Sequence, residues 1–247
     1  MQSTSLVNII KSFEHLPLTD KKGRAQTIEI FPPCPKNVLA EIEYSIPCSL
    51  PPEFCNTLDY CHGFKINDIF VVLTGKTFLF GADNMFPNGV PIAKDACGNH
   101  WLADLNKKSH AFGPIYFVCH DPAIVLYQCA TINDFVTDLF QSFRPDSDSR
   151  FFEIKNDQIY QIDSNNPGAI NVDDCINSDD LDLKQFASNL DSTWMIVDLR
   201  NPEPGYGFSC ARFGHNTEIQ RCNTLPIFAY RQLPEKPRRG FLSHWFG

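Results

Sequence analysis

The chain has 247 residues, a formal net charge of -8 and 21 phenylalanines; 43% of its residues are hydrophobic and 20% charged. That composition excludes general disorder and supplies enough chain to bury one large core or two smaller ones. The acidic balance argues against a broad nucleic-acid face, and no apolar run reaches the ~20 residues of a membrane helix.

The first residues, MQSTSLVNIIKSFEHL, place no basic region ahead of a short apolar run, so no secretory leader is expected. Ten cysteines are scattered with no C-x-x-C pair. Reduced, mostly buried thiols in a cytoplasmic protein are the expectation, with no metal and no cofactor. Residues 1–35 read as an N-terminal extension: an amphipathic start, a polar linker and the stiff FPPCP.

From Lys36 to Ile46 the spacing of Val38, Leu39, Ile42 and Ile46 predicts a helix. A second helix follows, with Ser49 and two prolines as start chemistry and Phe54, Leu58 and Cys61 on one face. Gly63 fits a left-handed stop. The pattern then becomes extended. DIFVVL, KTFLFG, HWLADL, GPIYFVCH and AIVLYQCA predict an antiparallel run, with turns at Asn88-Gly89, Gly98-Asn99 and Asp121-Pro122. Thr131 and Asp134 form an acidic capping box before a helix that puts Phe135, Leu139 and Phe143 on one face. This is an α+β pattern: a meandering sheet with helices on one side.

RPDSDSR marks a boundary candidate, so residues 36–144 and 150–247 are expected as two regions, the second a smaller α+β region. FFEIKNDQIYQI reads as a hairpin turning at Asn156-Asp157. Asn165 to Asp182 reads as acidic and irregular, followed by a short helix in DLKQFASNL. TWMIVDL, FSCARF and LPIFAY read as further strands.

Several groups look reactive. Asp95, His100 and Asp104 have the types of an acid–base trio or a ligand set. Strand alternation instead sends His100, Leu102 and Asp104 to one face and Trp101, Ala103 and Leu105 to the other, one face buried and one wet. His120 and Asp121 are adjacent and so point apart, and Cys119 reads as a core thiol. Asp198, Arg200 and Tyr206 flank a Pro/Gly turn with no nucleophile nearby. No nucleophile elbow, phosphate loop or zinc-protease motif is present, so no catalytic residue is assigned.

The ordered set LPPEFCNTLDYCHGF, GKTFLFG, GVPIAKDACGNHWLADL, GPIYFVCHD and TINDFVTDLF resembles the SUKH superfamily over about Lys36 to Phe143. That superfamily includes bacterial toxin-immunity proteins and fungal cell-wall-synthesis regulators. The resemblance implies a binding fold with Gly63, Asp95, Gly98, Asn99 and Trp101 as fold-determining positions. It departs at His62, where the family often has asparagine. The implied function is a non-enzymatic module that holds a protein, such as a basic toxin, on a sheet face or groove. An enzyme with its site in the C-terminal region and a scaffold are the alternatives. Asp173, Asp174, Asp179, Asp180 and Asp182 are candidate partner-binding residues, against the plainer reading of a solvated loop. The basic, aromatic tail (Lys236, Arg238, Arg239, Phe241, Leu242, Trp245, Phe246) suits packing back onto its own domain, with membrane or partner contact as the alternative.

Overall fold

A computed structural model describes residues 5–45, 50–73, 85–106, 111–165, 168–210 and 216–234. Helix α1 (Leu6–Glu14) starts where the Ser5 hydroxyl accepts the Asn8 N–H, and buries Leu6, Ile9, Ile10 and Phe13 along one stripe. Short strands β1 (Leu18–Thr19) and β2 (Ala25–Gln26) pair with each other, and β3 (Ile28–Ile30) leads to α2 (Lys36–Ser45) and α3 (Pro52–Tyr60). Proline opens α3, as expected, and Phe54 and Leu58 face the core. Ile46 and Ser49 lie outside the described residues.

The strands that follow are β4 (Gly63–Ile66), β5 (Ile69–Val72), β6 (Gly89–Asp95), β7 (His100–Asn106), β8 (Ala111–His120) and β9 (Ala123–Cys129). The stretch KTFLFG lies outside the described residues. Helix α4 (Ile132–Gln141) carries the expected cap: Thr131 Oγ1 accepts the Asp134 N–H at 3.1 Å and donates to the Asp134 carboxylate at 2.7 Å. Its buried stripe is Ile132, Phe135, Val136, Leu139 and Phe140.

Beyond Phe143 two expectations are corrected. Residues 151–165 are not a hairpin but helical: α5 (Phe151–Glu153), a π-helical turn (Ile154–Gln158) and α6 (Ile159–Asn165). The acidic stretch is ordered as β10 (Ile170–Asn171) and α7 (Val172–Ile176), then α8 (Leu181–Ala187). The last strands are β11 (Met195–Asp198), β12 (Gly207–Ser209), β13 (Thr217–Arg221) and β14 (Ile227–Gln232).

Eight strands form one antiparallel sheet in the order β12-β9-β8-β7-β6-β5-β4-β3, and β10-β11-β14-β13 form a second. Register divides the large sheet into two faces. On one lie Ile30, Phe64, Val71, Ala93, Trp101, Phe117 and Leu126 in a cross-strand row. That face carries the main core, into which α1, α3, α4, Phe151, Ile154, Ile159 and Ile162 also pack. The next row over faces the other way: Glu29, Lys65, Phe70, Lys94, His100, Val118, Val125 and Phe208.

Part of that second face is covered. Leu102, Tyr116, Val125 and Phe208 pack against Val197, Leu199, Phe228 and Tyr230 in a second apolar cluster. A third cluster on the far side of the small sheet joins Ile196, Ile227 and Ala229 to Val172, Cys175, Leu183 and Ala187 of α7 and α8. The layers therefore run helices, large sheet, small sheet, helices. Alternation along β11 and β14 explains this: Val197 and Phe228 point to the large sheet, their neighbours Ile196 and Ala229 to the outer helices.

The expectation of one wet face on HWLADL is thus corrected. All six residues from His100 to Leu105 are buried, because the small sheet covers what a lone α+β layer would leave to water.

Candidate protein-binding site

The corner from Asp95 to Asn99 is a turn built around one buried carboxylate. Asp95 accepts the N–H groups of Cys97 and Asn99 at 2.9 Å and the Asn99 amide at 3.0 Å. Gly98 adopts a φ of +86°, which the turn requires and a side chain rarely tolerates. The Asn99 amide oxygen in turn accepts from the backbone of His120 and meets His120 Nδ1 at 3.0 Å, tying β7 to the end of β8. Lys155, from the π-helical turn, reaches Asp95 at 3.1 Å and Asp68 at 3.6 Å while itself only 9% exposed. Burial works against the Lys155 charge, but these carboxylates outweigh it and raise its pKa.

Asp104 has the same kind of partner. The Arg221 guanidinium of β13 forks onto both Asp104 oxygens, one at 3.2 Å, and donates to the Met85 carbonyl at 2.9 Å. Its plane lies 5.2 Å and 5.3 Å from the Phe86 and Phe228 ring centres. Trp101 donates to the Gln128 side-chain oxygen at 3.1 Å and stacks on Phe151 at 5.1 Å.

So Asp95, His100 and Asp104 do not converge. Each aspartate is engaged by a cation from beyond residue 150. Burial, then the Lys94 charge, lowers the His100 pKa. His120 turns to Asn99, and burial raises the Cys119 thiol out of the reactive range. Among the described residues no group of three His, Cys, Asp or Glu side chains is placed to hold a metal ion.

Gly63 corrects an expectation of mechanism. Helix α3 ends in an extended Cys61, and Gly63 opens β4 instead. A Cβ there would sit 2.1 Å from the Val71 carbonyl oxygen, so glycine is required by strand approach.

With this corner and meander in view, one known family matches part of the chain. Residues 33–138 match the SMI1 / KNR4 family (SUKH-1). No curated protein and no solved structure matches the chain. The matched segment contains the turn, both motif aspartates and strands β4 to β9. Lys155 and Arg221 lie outside it, and local pattern could not have paired them with their aspartates.

The acidic stretch lies on the outer helices. Asp180 caps α8, accepting the N–H groups of Asp182 and Leu183 at 3.0 Å. Arg200 gathers Asp180 at 2.6 Å, Asp198 at 2.7 Å and Asp182 at 3.2 Å. The Arg200 hydrogen bond, and then those from the α8 backbone, bring the Asp180 pKa down to about 2. Asp198 and Arg200 thus form an ion-pair anchor, while Tyr206 packs against the second apolar cluster. Asp173, Asp174 and Asp179 are exposed and pair with no cation among the described residues. On the same segment two aliphatic side chains face water: Leu181, 78% exposed, and Ile176, 38%. The basic tail lies outside the described residues. Among those residues no helix is long and apolar enough to cross a membrane.

Proposed function

We propose that this chain is a non-enzymatic protein-binding module of the SUKH kind. Its α7–α8 surface engages and restrains a basic protein partner, such as a toxin, in the cytoplasm. The observation that carries the reading is that the α7–α8 segment exposes Leu181 and Ile176 along with the carboxylates of Asp173, Asp174 and Asp179. Exposed apolar side chains combined with charged ones are the ingredients of a protein interface. Asp180 and Asp182 serve this surface indirectly, since Arg200 uses them to hold the start of α8 in place. The SUKH-1 match supports a protein-binding or regulatory role, and the free thiols support a reducing compartment. Residues 36–144 are read as the SUKH-like unit and residues 150–247 as the part that carries the binding surface.

The test is capture of the partner from native extract, its identification by mass spectrometry, and reconstitution with pure components. Replacing Asp173, Asp174 and Asp179 by asparagine is expected to slow association about tenfold at low salt, with little effect at high salt. Leu181→Ala is expected to speed dissociation. Binding that ignores both salt and these four substitutions overturns the proposal.

A further inference from the structure

The small sheet covers only one end of the large sheet's second face. The other end, β3 to β6, presents Lys65, Phe70 and Val72 half-buried and Lys94 exposed. Lys65 and Lys94 flank Phe70 directly across the register. Their ammonium groups stand 5.0 Å and 6.0 Å from its ring centre. Among the described residues neither lysine forms an ion pair with a carboxylate, although Glu29 stands opposite Lys65 on the edge strand. This is a cationic, aromatic ledge on an otherwise acidic protein, beside the step formed by the small sheet and its outer helices.

The opposite chemistry is present on the same chain. The α7–α8 surface offers Asp173, Asp174 and Asp179, without a cation among the described residues, and Leu181 and Ile176 exposed. We propose that the ledge docks the α7–α8 surface of a second copy, carboxylates on Lys65 and Lys94 and an aliphatic side chain on Phe70. The occupant is chosen by charge complementarity: lysines and aspartates that form no ion pair among the described residues meet, and an exposed leucine meets a half-buried ring. The two patches differ, so the contact is head-to-tail and leaves a free ledge at one end and a free acidic surface at the other. The net charge of -8 on each copy opposes it. The association is therefore weak, concentration-dependent and strongest at low salt. It rests on the same acidic surface as the proposed function, so self-association and partner capture compete.

Sedimentation velocity of the full chain tests this. The wild type is expected to show average mass rising with concentration at low salt, and no rise at high salt. Lys65→Glu with Lys94→Glu, and separately Asp173→Lys with Asp174→Lys, are each expected to abolish the rise. An equimolar mixture of the two variants restores it, because each ledge then faces an opposite charge. Circular dichroism and thermal melts confirm that both variants are folded. A wild type that stays monomeric, association that survives either reversal, or a mixture that fails to associate overturns the proposal. Partner capture that persists in the Lys65→Glu, Lys94→Glu variant leaves the proposed function standing whatever the outcome here.

Discussion

Asp95 shows how one carboxylate holds a corner. It accepts three hydrogen bonds from its own turn and faces a nearly buried lysine. Asp95→Ala strips Lys155 of its closest counter-ion and the turn of its acceptor. It is expected to cost about 3–5 kcal/mol in urea unfolding. Lys155→Met should cost clearly less, because the Asp95 charge keeps its three N–H donors. His100 gives a pH signature. Its folded pKa lies below the ordinary 6.5, so the unfolded chain binds the proton more readily. Its contribution to stability is therefore complete above pH ~6.5 and is lost as pH falls through the folded value. The stability difference between wild type and His100→Gln should widen from pH 5 to pH 7, and a flat difference would exclude this assignment.

At the scale of elements, β12 is held by an absence. A Cβ on Gly207 would lie 1.9 Å from the Val125 carbonyl oxygen, so only glycine lets β12 close on β9. Gly207→Ala is expected to speed hydrogen exchange at Tyr127 and Cys210, whose amides bond across this junction, while amides of β7 stay protected. Helices α3 and α4 were legible from the sequence because proline starts, a capping box and 3.6-residue spacing are local signals. The helix at 151–165 was not. Its buried positions, Phe151, Ile154, Ile159 and Ile162, stand three, five and three residues apart. The π-helical turn inserts the extra residue and spoils the period on which a helix is recognised. Asn156 and Asp157 then imitate a hairpin turn. Strands β1, β2, β3 and β13 are short or lie at a sheet edge, and they escaped notice. So did Arg221, whose bond to Asp104 spans 117 residues.

Across the whole molecule, four layers share three apolar clusters, and the middle one is made by both sheets together. A chain ending at residue 144 would bare Leu102, Tyr116 and Val125, now essentially inaccessible, and strip Asp104 of its guanidinium partner. Such a truncation is expected to bind a hydrophobic dye strongly and to aggregate, whereas the full chain remains dispersed. Recovery of a well-behaved monomer from residues 1–144 would show that the second cluster is dispensable.

Strand β7 passes through the middle of this stack with six consecutive inaccessible side chains. No position from His100 to Leu105 can absorb a larger, smaller or differently charged replacement without disturbing one layer or the other. In a saturation library scored for abundance, this stretch should be among the most depleted, while the exposed positions of α7 and α8 drift freely. The outside of the molecule can therefore diverge without renegotiating its interior.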